Sequence, residues 1–512
     1  MARDTPLVLK NARAYSYDPA ARSYSRHAGL VLQGGRIASM EPGEAGGGIE
    51  TIDMHGATIL PAFADCHVHL TDTGYFTGAR NLAPVRSYEE FAAAVRGLPR
   101  ESYVLAGQYD ESTWRDGRAA DAGPLERDFA ETFAMLVRID GHSCVVNRKT
   151  FAWLNLPSET TGIEKNASGD PSGKLFLEAN WRAQSAFMAA LPAATKRAAE
   201  ARAVELALSR GCLHLHAQFV GFARDEYAAE IAALRDLPKA KWYPKICEPD
   251  PQLAKDLGLP YVGGDVFLDG SIGSCTAAVT EPFLSRGKEA GRGELRFSDE
   301  KVLEYFSAAE ALGISAGVHA IGDRAIEQAI ATWERVLSGK PSTNGCRHFI
   351  EHFEIARDDQ IDRCARLGIY LSMQPQFDAL WGGTGGMYEQ RLGAERMRSM
   401  NALARIERAG GVLCGGDDSP VCDLNPLEGM QAAVSHHEAG ERLSPETALT
   451  MYTYNAARLG HAEMQTGMLA EGYDADLVVL DKDPLDGAAF SQCRVLSTWR
   501  DGEIIYAQDQ AQ

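Results

Sequence analysis

Two histidines two residues apart, His67 and His69 in LPAFADCHVHL, close a short apolar run. In an extended strand residues i and i+2 point to the same face, so both imidazoles can turn towards one ion. Taken alone, a His-x-His pair is more often an accident of surface or core than a site. Three further apolar runs end in the same way: ISAGVHAIGD in His319, RHFIEHFE in His352, and VLCGGDDSP in Asp418 or its neighbour Asp417. His319 by itself would be read as a satisfied core histidine. Four histidines and an aspartate at strand ends, in chain order, favour a shared metal site instead. Imidazole and carboxylate ligands from separate strands suit Zn2+ or a similar borderline divalent ion, with positions left open for water. A second pair, His214 and His216 in GCLHLHAQ, competes for this role but has no matching partners on the strand ends that follow.

Other residues could shape a binding site. The segment QPQFDALWGGTGGMYEQRLG carries Phe377, Trp381, Met387 and Tyr388 with five glycines, four of them between Trp381 and Met387. Lying as a loop over a strand-end site, it would wall an apolar substituent and move as a lid. A well-packed loop or a dimer contact explains the same aromatics equally well. Trp114 in QYDESTW is a weaker candidate for that wall, and Glu178 in GKLFLEAN reads more naturally as a solvated glutamate.

The elements that must hold these residues are legible from periodicity. Helical stretches end on glycine and lead into buried strands: KRAAEARAVELALSRG into CLHLHAQF, DEKVLEYFSAAEALG into ISAGVHA, DDQIDRCARLG into IYLSMQP, and ALARIERAGG into VLCGG. Right-handed βα units in series imply a parallel sheet, and eight of them close a barrel. Ten candidate strands occur, including YVLAGQYDE and AMLVRIDGH, so two are assigned to an insertion. The first sixty residues and the last fifty read as β, with turns at Gly34 and Gly35 and a glycine-rich stretch at Gly46 to Gly48. The expected architecture is α/β: a (β/α)8 TIM-like barrel over 59–463 with an insertion around 75–195, and a small β-sandwich domain from 1–58 plus 464–512.

Composition bounds the partners. The chain has 512 residues, 45% hydrophobic and 24% charged, ample for a large core. A formal net charge of -19 disfavours nucleic acid and anionic lipid surfaces, so no nucleic-acid or membrane partner is expected. A small-molecule substrate is. No window supplies the ~18 apolar residues of a membrane span, and the N-terminus lacks a secretory apolar core, so a cytoplasmic location is expected. Ten scattered cysteines without a CxxC pair read as reduced thiols.

The series LPAFADCHVH, RIDGHSCVVN, VFLDGSIGSCTAAVTEPF, VHAIGDRAI, FIEHFE, LSMQPQFDALWGG, GGDDSPV and GMLAEGYDADLVVLD resembles the amidohydrolase superfamily, within it the branch of N-substituted formamide deformylases and many metal-dependent hydrolases. The resemblance covers nearly the whole chain in family order. It implies that His67, His69 and Asp418 bind the more buried metal and that His319 and His352 bind a second or flank the first. The resemblance further implies that Asp418 is the general acid/base, with Asp417 standing where the family has serine. The lysine that bridges two metals in many relatives is replaced by Asp265, whose shorter side chain puts its reach and the second ion in question. One or two Zn2+ ions are implied, other divalent metals being admissible. Asp269 reads as a turn or capping residue at least as readily as a ligand. His142, beside Asp140, would donate to the substrate carbonyl or serve as a structural histidine bonded to Asp140. A homodimer is a family-level expectation.

The expected activity is hydrolysis of a non-peptide C–N bond of a linear amide or N-formyl compound. A deaminase or cyclic-amide hydrolase of the same superfamily is the nearer alternative, and a catalytically silent binding protein with a barrel fold the remoter one.

Overall fold

The computed structural model describes residues 5–42, 49–220, 224–237, 239–285 and 288–508, so the glycine stretch at 46–48 lies outside it. The molecule is α/β with several sheets. Eight parallel strands position the site: β1 (Phe63–Val68), β2 (Cys212–Phe219), β3 (Lys245–Ile246), β4 (Tyr261–Val262), β5 (Ser315–Ala320), β6 (Phe349–His352), β7 (Tyr370–Met373) and β8 (Val412–Gly415). Parallel ladders join β1 to β2 and β2 to β3, and run from β4 through β5, β6 and β7 to β8. The two groups meet at both margins. Gly263 N donates to Ile246 O at 2.8 Å between β3 and β4, and Asp418 N donates to His67 O at 2.8 Å between the end of β8 and β1. Every residue of β1, β2 and β5 is buried, as parallel strands covered on both faces require.

The helix–glycine–strand rhythm is present as expected. Helices α1 (Ala193–Ser209), α2 (Asp299–Leu312) and α3 (Asp358–Leu367) precede β2, β5 and β7. Ser298 caps α2 by accepting the Lys301 N–H, and Gly313 and Gly368 leave α2 and α3 in the left-handed region, each at φ 68°, where a side chain is strained.

Two of the ten candidate strands, Tyr103–Tyr109 and Phe133–Arg138, stand in a separate five-stranded sheet with Ser143–Val146, Ile163–Lys165 and Pro171–Phe176. That sheet packs its own apolar cluster, including Phe91, Tyr109 and Trp114. Both chain ends enter one eight-stranded sheet, in which Thr58–Pro61 pairs antiparallel with Leu477–Leu480 over a core of Leu9, Leu30, Ile59, Leu477 and Trp499. Among the described residues no helix is long and apolar enough to cross a membrane. The aromatic segment after β7 differs from the expected loop. It forms two short helices, α4 (Pro375–Trp381) and α5 (Met387–Leu392), with Pro375 at the start of α4, where its missing N–H costs nothing.

Candidate metal centre

The side chains singled out at the strand ends converge. His67 Nε2 lies 3.3 Å from Asp265 Oδ2 and 3.3 Å from Asp418 Oδ1; His69 Nε2 lies 3.2 Å and 3.1 Å from the same two oxygens. The other oxygen of Asp265 faces His319 Nδ1 at 3.7 Å and His352 Nε2 at 3.8 Å. Asp265 therefore sits between both histidine pairs, and its short side chain reaches because the backbone brings it in. A Cβ on Gly263 would meet Gly317 O at 2.1 Å and one on Gly264 would meet Gln218 Oε1 at 2.3 Å, so only glycines let this segment press so closely on its neighbours.

The end of β8 is fixed in the same way. Gly416 packs on β1, where a Cβ would stand 2.8 Å from His67 N. The Asp65 carboxylate accepts the N–H groups of His67 and Asp417 at 2.9 Å and 3.1 Å, and His69 N donates to Ser419 O at 2.9 Å. These bonds turn Asp418 inward, in the left-handed region at φ 53°. Asp417 faces elsewhere, accepting from Asn425 N at 2.7 Å and Tyr452 Oη at 3.2 Å. Asp269 takes three backbone N–H groups, from Ala278, Ile321 and Gly322, and ties the turn after β4 to the end of β5. This is the work of a turn residue.

The donors suit a divalent cation on two grounds. First, His67 Nε2, His319 Nδ1, Asp265 Oδ1 and Asp418 Oδ1 are buried with no hydrogen-bond partner among the described residues, which is costly unless something else satisfies them. Second, the four histidine-to-carboxylate separations, 3.1 to 3.3 Å, are close to the roughly 3.3 Å between two ligand atoms of a tetrahedral zinc-like ion with bonds of about 2.0–2.1 Å. The outer ring nitrogens are held from behind. His67 Nδ1 lies 2.9 Å from Glu351 Oε2, His352 Nδ1 contacts Gln374 Oε1 at 2.8 Å, and His319 Nε2 contacts Gly270 O at 3.2 Å. Such partners orient imidazole ligands and fix which nitrogen faces the centre. Behind Glu351 the fully buried Lys245 donates to Glu351 Oε1 at 2.6 Å and to Cys66 O at 2.8 Å.

The electrostatics follow from this crowding. Burial opposes charge on His67, yet Asp265, Asp418 and Glu351 together raise its pKa well above the ordinary value. Burial pushes against ionisation of Asp418 too, but His67, His69 and His352 hold its carboxyl below the usual range. Burial and then neighbouring His319 bring His142 down to about 3, against the opposing pull of Asp140, so its ring is neutral.

His142 borders two cavities that open on the centre. Its backbone N donates to Asp140 Oδ1 at 3.2 Å, while its ring stands edge-on to Trp181 and Phe267. Asp140 is occupied otherwise by Ser271, Ser274 and Arg138. Phe377, Trp381, Met387 and Tyr388 line the smaller cavity, with Trp381 Nε1 donating to Asp110 Oδ2 at 3.1 Å and Tyr388 Oη to Glu354 Oε2 at 2.5 Å. Trp114 borders neither cavity; it is packed with Phe91 and Tyr109 in the separate sheet's core. Glu178 is half-exposed and paired with Arg182. Sequence reasoning missed Glu351, Lys245, Gln374, Trp181, Phe267 and Glu354. For Glu351 a signal existed, an acid in a run whose other members are apolar or a candidate ligand; for Trp181 and Phe267 none did.

The Amidohydrolase family model matches residues 50–506, and the chain belongs to that family. It is 26% identical to N-substituted formamide deformylase of Arthrobacter pascens, over 99% of each chain. It is 28% identical to YtcJ of Bacillus subtilis, over 89% of this chain and 90% of that protein. Among solved structures, an uncharacterized metal-dependent hydrolase from Pyrococcus furiosus superposes with a TM-score of 0.70 at 26% identity, covering 94% of this chain and 100% of that one. Family and site together define a hydrolase of carbon–nitrogen bonds whose clustered histidines and carboxylates can hold a divalent metal.

Proposed function

We propose that the protein hydrolyses a linear amide or N-formyl compound, a small molecule with an apolar group on nitrogen. The observation that carries this is the convergence of His67, His69, Asp265 and Asp418 at ligand spacing beside apolar cavities. Full-length similarity to an N-substituted formamide deformylase supports the substrate class. In this reading the eight parallel strands form a (β/α)8 barrel over 59–463 with an insertion around 75–195. The terminal sheet, from 1–58 and 464–512, folds over its own core as a small sandwich.

His67, His69, Asp265 and Asp418 would hold Zn2+, with His319 and His352 completing that site or a second one beside it. Such an ion, when bound, acidifies water and polarises a carbonyl oxygen. The chain's own residues supply the proton handling and the orientation. Asp418 takes a proton from the attacking water as the C–O bond forms at the carbonyl carbon. It then passes that proton to the nitrogen as the C–N bond breaks, so that an acid and an amine leave. His142 donates an N–H to the carbonyl oxygen, and the aromatic walls exclude bulk water around the reacting bond.

The test is product analysis on N-substituted formamides and acetamides with zinc-loaded protein. Equimolar amine and carboxylic acid are expected. Release of ammonia with the carbon skeleton still joined would assign the chain to the deaminases instead.

A further inference from the structure

The centre opens onto two chambers. The larger, about 110 Å3, is walled by Phe76, Trp181, Met188 and Phe267. The smaller, about 30 Å3, is walled by Ile272, Ile321, Phe377, Trp381, Met387 and Tyr388. Both border His142, His319, His352 and Asp418, so a bond reacting at Asp418 adjoins the apolar walls of two chambers. Since on the order of 10–15 Å3 suffices for one water, the smaller chamber takes a short group and the larger, with more than three times the space, a ring-sized one.

Charge narrows the ligand further. Among the described residues, Arg138 is the only lysine or arginine bordering either chamber. Its guanidinium is already committed, to Asp110 at 3.0 Å, Glu111 at 2.9 Å and Asp140 at 2.7 Å. Apart from Asp265 and Asp418, whose charge the metal would neutralise, the remaining charged walls are acidic: Asp72 and Asp140 in the larger chamber, and Asp140 and Glu354 in the smaller. A carboxylate buried against these walls, away from the metal position, would lose its water, find no uncommitted lysine or arginine among the lining residues and meet the acidic groups Asp72, Asp140 or Glu354.

We propose that the substrate is a neutral secondary amide with carbon substituents on both sides of the scissile bond. A short group fills the chamber of Ile272, Phe377 and Met387, and a ring-sized group lies against Trp181 and Phe267. This rests on the reading of the chain as an amide hydrolase and narrows it. A bare N-formyl compound leaves the smaller chamber unfilled, and an N-acyl amino acid brings a second carboxylate that no uncommitted lysine or arginine among the described lining residues receives.

The experiment compares kcat/KM of the zinc-loaded enzyme on the formamide, acetamide, propanamide and succinamic acid of 2-phenylethylamine, reading released amine by chromatography. Acetamide or propanamide is expected at least about tenfold above formamide, the discrimination a filled apolar pocket gives per carbon, and the succinamic acid at least about a hundredfold below them. Met387→Trp, which fills the smaller chamber, should lower the acetamide-to-formamide ratio at least about tenfold. Both rates come from one preparation, so the ratio is independent of how much protein folds. Formamide equal to or above the larger amides, with a ratio that Met387→Trp does not move, overturns the two-sided substrate and leaves amide hydrolysis standing. Succinamic acid cleaved as fast as acetamide overturns the charge argument. No cleavage of any of the four overturns the amide reading itself, and this inference with it.

Discussion

Two histidine pairs of the same spacing belong to neighbouring strands, His67 on β1 with His69 just past its end and His214 and His216 on β2, and they meet opposite surroundings. The first pair faces two buried carboxylates, Asp265 and Asp418, with its reactive nitrogens at ligand distance from both. In the second, His214 is used up by neutral and ionic partners. Its Nδ1 contacts Tyr243 Oη at 3.2 Å, its Nε2 contacts Thr466 Oγ1 at 3.1 Å, and Asp476 Oδ2 stands 3.3 Å away. His216 lies flat on Tyr243 with neither ring nitrogen bonded among the described residues. Register explains the difference. His214 is level with Ala64, three residues before His67 and short of the ends where Asp265 and Asp418 arrive, while His216, between the levels of Asp65 and Val68, lays its ring on Tyr243. A His-x-His pair places two imidazoles on one face; what the other strands bring to that level decides whether they bind metal or hold the fold.

Breaking the first pair's chemistry should give the largest effect. Asp418→Asn is expected to lower kcat/KM by about 10^3-fold or more while circular dichroism stays native, since a positioned acid/base contributes about 10^2–10^4-fold and the ligand set is weakened as well.

The second pair's carboxylate should instead govern stability. Asp476 is buried against His214 and against Lys241 at 2.7 Å, so Asp476→Asn is expected to cost about 3–5 kcal/mol of unfolding free energy with metal content unchanged. The effect has a defined pH sign. Burial opposes the Asp476 charge, but His214 and Lys241 hold its pKa below the ordinary value. A carboxyl depressed in the folded state stabilises above its unfolded pKa, about 3.9, and that contribution is lost as pH falls towards the folded value. Denaturant melts should therefore show wild type and Asp476→Asn converging below about pH 4.

A smaller effect separates the ligands from their supports. Glu351→Gln leaves every ligand in place and is expected to weaken metal affinity about 10–100-fold, read by chelator competition; unchanged affinity would remove Glu351 from the site's support. Smallest is His216→Phe. It removes two unpaired buried nitrogens and keeps the stacking on Tyr243, so stability should change by no more than about 1 kcal/mol and metal content not at all.

Much of this was legible from the chain. The helix–glycine–strand rhythm locates four of the eight parallel strands, β2, β5, β7 and β8, because the period of apolar residues and the left-handed exits at Gly313 and Gly368 are local properties. His67, His69, His319, His352 and Asp418 were found for the same reason, each closing an apolar run. The rest depended on distance in space. Whether Asp265 reaches the centre is set by Gly263 and Gly264 against β2 and β5, and Trp181 meets Phe267 across 86 positions of sequence, stacked with ring centroids 4.3 Å apart. Trp114, the weaker candidate for the wall that Trp381 was read into, closes a core of the separate sheet, while Trp381 lines the cavity and donates to Asp110. The helical form of the segment after β7 was hidden by its glycines, which join α4 to α5 and leave the helices themselves intact.

The most direct test of the comparison is metal content by elemental mass spectrometry on wild type, the double variant His67→Asn/His69→Asn and the double variant His214→Asn/His216→Asn, each confirmed as folded. Bound divalent metal in wild type, lost from the first variant and kept by the second, is the predicted result. Metal retained without His67 and His69, or lost only with His214 and His216, would contradict the assignment of the centre.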